Sequence, residues 1–283
     1  MTIPIWQYGW SMLAYMALLF LLNELARRQV KAFVLLQVTM LATVPFWIRD
    51  ISGSWFQVSK VVTTTVPCLV LSFVRIAFQE GERTTLRFLR QRWTFVFAYT
   101  ALQVNIAEAV VADLQAGRHF NAFSGLVLAL TMANPFKDNA WIIETATPRR
   151  EALVRVPAEW TVLYTSWNLA CLYAQYPQYL AHVACLLMAP LAYSVVLGRP
   201  ELWMAARVYT LSFAVIILWG GYDFVTPLMD TAVLGDERAV ASWGVVNCMA
   251  AACSLAYWVA RRTTARRAAR AGAASDAPPW AAP

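Results

Sequence analysis

The chain alternates long apolar blocks with short polar segments, and that pattern limits its fold more than any motif does. A bilayer core about 30 Å thick is crossed by a helix of roughly 20 apolar residues, rising 1.5 Å per residue. Blocks of this kind cover residues 6–26, 31–48, 56–78, 92–112, 120–136, 156–175, 178–197, 203–226 and 239–260. Hydrophobic residues make up 60% of the chain and charged residues 14%, whereas soluble domains are charged at about a quarter of positions. The expected fold is all-α, a polytopic transmembrane helical bundle over residues 1–260. A disordered basic cytoplasmic tail is expected over 261–283. The N-terminal apolar run lacks a basic n-region and a small-residue cleavage site, so it reads as a retained first helix.

Loop charges set the expected orientation, because Lys and Arg concentrate on the cytoplasmic side. With nine spans and the N-terminus outside, 19 of the 23 basic residues fall on the cytoplasmic side, Arg75 and Arg207 among them. Arg49, Lys60, Arg118 and Arg238 fall outside. The fifth block is the weakest span, because Asn134-Pro135 interrupts it and proline removes a backbone donor. An eight-span alternative with 120–145 re-entrant would put the five-arginine tail outside, against the same rule. Tryptophans gather near the block ends, as interfacial anchors do.

Several chemistries are excluded. The net charge of +7 is a topology signal here, and no nucleic-acid partner is expected. Cys68, Cys171, Cys185, Cys248 and Cys253 lie within apolar blocks without paired spacing and read as small buried hydrophobes. The chain has no phosphate loop, no His-Glu-x-x-His, no Cys-x-x-Cys and no acidic cluster for magnesium and a diphosphate. No metal or cofactor is expected.

What stands out is polarity inside the apolar blocks. Asn105 and Glu108 are three residues apart, on one helical face, and an intramembrane carboxyl usually has a purpose. Tyr164, Trp167 and Asn168 gather on the sixth block. Trp219, Tyr222 and Asp223 follow helical spacing on the eighth. Asn121 opens the fifth block, and Trp243 and Asn247 lie four apart on the ninth. In the nine-span topology these all enter from the outer side, which is the shape of a pocket for a lipophilic small molecule reached from the bilayer. Glu108 and Asp223 are the candidate catalytic pair. Asn105, Asn121, Tyr164, Trp167, Asn168, Trp219, Tyr222 and Asn247 are the candidate substrate-binding set. The competing structural reading has Glu108 hydrogen-bonded to Asn105 or to an amide of a neighbouring helix. Glu24 before Arg28, and Glu159 after Arg155, are expected to form interfacial ion pairs at four-residue spacing.

A carboxyl desolvated in an apolar pocket can stay protonated and act as a general acid, with a second acid as the base. Aromatic faces would stabilise a developing carbocation by about 2 kcal/mol. The runs Leu22-Asn23-Glu24 with Arg27-Arg28, Trp55-Phe56 with Lys60, Asn105-Ile106-x-Glu108-Ala109-Val110, Asn121-Ala122 and Tyr164-Thr165-x-Trp167-Asn168 resemble a bacterial family of polytopic membrane proteins of unknown function. That resemblance spans roughly residues 10–225. More loosely, the chain is similar to the membrane-embedded terpene cyclases of meroterpenoid and indole-sesquiterpenoid pathways. This second resemblance implies an isomerase or lyase of the cell membrane that cyclises a prenylated substrate by protonation, with Glu108 as proton donor and Asp223 as second acid or base. The alternatives are a proton- or cation-coupled transporter or channel, and a non-catalytic receptor or assembly protein.

Overall fold

The computed structural model describes residues 3–51, 53–136, 140–219 and 226–275, without the side chains of 49–51, 56, 83, 219, 226–227 and 265–275. The chain is a helical bundle with one small hairpin. Its helices are α1 (Ile5–Arg28), α2 (Val30–Leu41), α3 (Val44–Ile51), α4 (Trp55–Glu80), α5 (Trp93–Gln115) and α6 (His119–Thr131), followed by strands β1 (Trp141–Ile143) and β2 (Ala152–Val154). Then come α7 (Ala158–Gln175), α8 (Leu180–Val196), α9 (Trp203–Trp219), the short α10 (Thr226–Met229) and α11 (Glu237–Ser275). Among the described residues, seven helical segments are long and apolar enough to cross a membrane. Helices occupy all nine expected places, but α6 and α7 do not meet that standard. With 13 residues, α6 spans only about 20 Å at 1.5 Å per residue. It ends before Asn134-Pro135, where Met132 turns extended with ψ 139°.

Burial separates centre from rim. In α9 78% of the spanning window is buried, against 17% in α1 and in α11. The centre is α9 with α4, α7 and α8, while α1, α2, α5 and α11 present apolar faces outward, as lipid-facing helices do. Ser54 caps α4 by accepting a hydrogen bond from the Gln57 amide at 3.3 Å, as N-cap serines do. Within α4 the hydroxyls of Thr63, Thr64 and Thr65 bond back to carbonyls one turn earlier. That lets polar residues sit inside an apolar helix. Pro67 lies in the same stretch, and its missing N–H leaves the Thr63 carbonyl without its usual helical donor.

The hairpin was not expected from the sequence. Its register pairs Trp141 with Val154, Ile142 with Leu153 and Ile143 with Ala152. Ala152, Leu153 and Val154 are all buried, so the strands plug one end of the bundle. Arg75 holds the plug in place. Its Nη1 donates to the Ala26 carbonyl at 2.6 Å and to Tyr209 Oη at 3.1 Å. Its Nη2 donates to the carbonyls of Arg27 at 2.8 Å and Arg149 at 3.1 Å, and its Nε to that of Arg150 at 3.1 Å. Glu151 pairs with Arg27 at 3.2 Å and with Arg199, and Arg199 also reaches Glu144 at 3.2 Å. Burial pushes the Glu144 carboxyl up, but the Arg199 hydrogen bond and charge outweigh it and leave the group below its usual range.

Two expectations about charge differ from the structure. Arg75 and Arg207, counted among cytoplasmic residues, are buried at 1% and 3% exposure, so neither is a topology signal. Glu24 pairs with Arg28 as expected, and also with Arg27 at 2.8 Å. Glu159 forms no ion pair with Arg155 among the described contacts and lies exposed beside α11. The helix α11 continues to Ser275 instead of stopping at residue 260 before a disordered tail, because Ala and Arg are strong helix formers. Residues 276–283 lie outside the described residues.

One glycine is dictated by packing. A Cβ on Gly125 of α6 would stand 2.5 Å from Val110 Cγ2 and 2.7 Å from Trp167 Cζ2. The absent side chain lets α5, α6 and α7 close on one another. Gly125→Ala is expected to cost about 1–3 kcal/mol through overpacking, read as a lower unfolding midpoint in detergent. An unchanged midpoint would mean that the three helices can part freely.

Candidate functional site

Two small cavities stack along the bundle axis. Helix direction shows how they are placed. The C-terminal half of α4, the N-terminal halves of α5 and α9, and the hairpin share one end. The opposite end gathers the N-terminal parts of α4 and α8, the C-terminal halves of α5 and α9, and the C-terminus of α7. The chamber at the hairpin end is walled by Pro67, Leu71, Phe95, Trp141, Leu153 and Tyr164, among others. The chamber at the other end is walled by Lys60, Asn168, Cys171, Tyr176, His182 and Leu218, among others. Each is about 50 Å³, where roughly 10–15 Å³ on this measure holds one water. Asn105, Arg207 and Leu211 line both chambers and form the septum between them.

Lys60 was expected to flank an external turn. It lies five residues inside α4 and is 8% exposed, because its long stem carries the ammonium inward. Its Nζ stands 3.2 Å from Glu108 Oε2 and donates to the Asn105 carbonyl of α5 at 2.9 Å. Thr63 Oγ1, whose proton points mainly to the Ser59 carbonyl at 2.8 Å, shares it with the same Glu108 oxygen at 3.4 Å. Glu108 is therefore joined to a cation on the neighbouring helix, and it lines neither chamber. The alternative partners expected for it, Asn105 and an amide of another helix, make no hydrogen bond to its carboxylate among the described residues. Asn105 instead supplies the carbonyl that Lys60 reaches.

Arg207, on α9, is the least compensated interior charge among the described residues. Its Nε and Nη1 are buried and have no hydrogen-bond partner. The guanidinium carbon stands 6.0 Å from the centre of the Tyr164 ring, within reach of a cation–π attraction. Tyr164 is held in turn by Trp160, stacked at 5.2 Å, and by the edge of Trp203 at 5.5 Å.

The remaining candidates divide. Asn105, Tyr164 and Asn168 lie on chamber walls. Trp167 is a packing residue, wedged against Gly125. Asn121 and Asn247 belong to a separate polar network away from the chambers. In it Asn121 Nδ2 donates to buried Asp113 at 2.7 Å and Arg118 pairs with Asp113 at 2.7 Å. Asn247 Nδ2 donates to Asn121 Oδ1 at 3.2 Å, Ser166 to Asn247 at 2.7 Å and Trp243 to Ser166 at 2.9 Å. This chain of bonds joins α5, α6, α7 and α11 as buried polar networks do. Tyr222 and Asp223, and the side chain of Trp219, lie outside the described residues, so the Glu108–Asp223 pair has no geometry here. Among the described residues, no three His, Cys, Asp or Glu side chains cluster as metal ligands would.

Sequence reading overlooked Lys60 and Arg207. Both sit near block ends, where a cation usually marks a loop. Their one visible signal was spacing: Lys60 precedes Thr63 and Thr64 on a polar face of α4, and Arg207 follows Trp203 by one turn.

No curated protein and no solved structure matches the chain significantly. A family model matches residues 2–147, which hold Lys60, Asn105 and Glu108 but end before Asn168 and Arg207. With just over half of its length matched, the chain belongs to DUF5692, a family of unknown function.

Proposed function

We propose that the protein is a multi-pass carrier or channel for a small solute in the cell membrane, with the two chambers as its path and the Lys60–Glu108 pair as its ion-coupling element. The observation that carries this reading is the axial stacking of two chambers on either side of a charged septum. A path running through a central polar site suits alternating access. The hairpin closes one chamber, and the loop carrying Tyr176 and Tyr179 borders the other. An ion pair bordering the path suits coupling, since intramembrane acids and bases mark ion routes.

Cyclisation of a prenylated substrate is the second reading, favoured by the Tyr164, Trp160 and Trp203 cluster beside the hairpin-end chamber. Three features weigh against it. The Glu108 carboxylate is already engaged by the Lys60 ammonium of the neighbouring helix. Chambers of this size do not hold a folded prenyl chain. A buried guanidinium at the septum repels a carbocation.

The test uses the full chain in liposomes loaded with a pH-sensitive dye and exposed to gradients of formate, chloride, ammonium or potassium. Wild type is expected to pass one of these with a proton signal. Ala98→Phe, which fills the hairpin-end chamber, is expected to lower the flux at least tenfold. Absence of flux for every solute, together with a cyclic product from a prenylated substrate in the same membranes, would replace this reading with the second.

A further inference from the structure

We infer that the septum is a binding site for a small monovalent anion of carboxylate or halide size, held by the Arg207 guanidinium. This rests on the two-chamber reading and names the class of solute that the path takes.

The reason is an imbalance of buried charge. Three other buried or nearly buried charges of the bundle have partners in the fold. Lys60 has Glu108, Asp113 has Arg118 and Asn121, and Arg75 is saturated by four carbonyls and a hydroxyl. Arg207 is 3% exposed, yet two of its three nitrogens donate to nothing. No carboxylate of the described residues stands within ion-pair distance of it. Removing a cation from water costs several kcal/mol even after relaxation, and a guanidinium stays charged at any physiological pH. The Tyr164 ring offsets only a part of that cost. Arg207 lines both chambers, so each chamber lies against this residue. An anion entering from either chamber would meet N–H donors and an uncompensated positive charge at one place.

Size and polarity narrow the class. Most of the chamber wall is apolar, with Lys60, Asn168 and His182 as polar groups of one chamber besides the septum, so a strongly hydrated multivalent anion would lose more hydration than these few donors replace. About 50 Å³ on each side admits a few heavy atoms. Chloride, nitrate and formate fit that description, while gluconate and sulfate do not.

A structural arginine and a ligand-holding arginine behave oppositely when replaced. An arginine that ties the fold together would destabilise it on loss, as expected of Arg75. An unpartnered one should not, because an apolar side chain of similar length removes an unmet desolvation cost.

The experiment measures thermal unfolding of the purified full chain in detergent, in sodium formate, chloride or nitrate, with sodium gluconate at matched ionic strength as reference. Wild type is expected to show a saturable rise in unfolding temperature with at least one of the three small anions. Arg207→Met is expected to unfold in gluconate at or above the wild-type temperature and to lose that rise, with affinity at least tenfold weaker. Arg207→Lys, which keeps the charge, is expected to retain part of the response. An equal response in wild type and Arg207→Met would overturn the site, as would no response in wild type to any of the three. So would Arg207→Met unfolding well below wild type in gluconate. The liposome flux assay separates the two readings. Anion-dependent stabilisation without flux keeps the site and removes the carrier. Flux that persists in Arg207→Met keeps the carrier and removes the site.

Discussion

Glu108→Leu, with Lys60 left in place, is expected to destabilise the protein by about 3–5 kcal/mol, the range for breaking a buried ion pair from one side. The two side chains are 10% and 12% exposed, with 3.2 Å between charged atoms. The leucine leaves the ammonium with the Asn105 carbonyl but without this carboxylate beside it. Lys60→Met alone should cost a similar amount, since it strands the carboxylate with the Thr63 hydroxyl. The double variant Lys60→Met with Glu108→Leu should recover most of the loss, because both desolvation costs disappear together. Denaturant unfolding of the four proteins in one detergent gives the coupling energy directly. Additive losses in the double variant would mean that the two groups do not interact. Should the double variant fold well and yet abolish flux, the pair serves the path and not the fold.

Arg75→Met is expected to cost about 3 kcal/mol or more, with the loss concentrated at the hairpin. Hydrogen bonds to a charged group contribute about 1.5–3 kcal/mol each, and five meet at this guanidinium. Four of the acceptors are main-chain carbonyls at the ends of two other segments, Ala26 with Arg27 and Arg149 with Arg150. Methionine fills much of the volume but supplies none of the donors, so those carbonyls need water that a plugged end admits only by opening. Limited proteolysis should therefore cut between Thr145 and Arg150 earlier in the variant than in wild type. A variant with wild-type cleavage and stability would show that the Glu151–Arg199–Glu144 ion pairs alone hold the hairpin. Arg75→Lys should fall between, because one ammonium cannot reach acceptors spread around a planar fork.

Much of the architecture was legible in the block pattern. Nine apolar stretches correspond to helices, because a run of about 20 apolar residues in a bilayer has few folds besides a helix. The boundary at Asn134-Pro135 was legible too, since proline disrupts the ladder locally. The hairpin at 141–154 was not. Its strands are three residues each, too short for alternation to register, and they exist because the bundle end offers an apolar seat.

The candidate site was legible only in part. Polar residues within apolar blocks flagged Asn105, Glu108, Tyr164 and Asn168 near the chambers. The same signal flagged Asn121, which donates to Asp113, and Asn247, which donates to Asn121, elsewhere in the bundle. Spacing along one helix tells which residues share a face, but not which neighbour that face meets. Lys60 and Arg207 show the converse. Each lies within a turn or two of a helix end, where a cation ordinarily reaches water, and only the neighbouring helices turn it inward.

By itself, then, the sequence determined that the chain forms apolar helices in a bundle, where most of them begin and end, and that Glu108 is an acid within an apolar helix long enough to cross a membrane. These follow from hydropathy and backbone hydrogen bonding, which act within one segment. The tertiary structure alone decided that Glu108 is partnered by Lys60 and that two chambers meet at Arg207. It also decided that, among the described residues, Arg207 meets no carboxylate and only the Tyr164 ring, while Arg75 has five acceptors. Charge pairing and enclosed volume depend on which helix faces come together, and that is a property of the packed bundle.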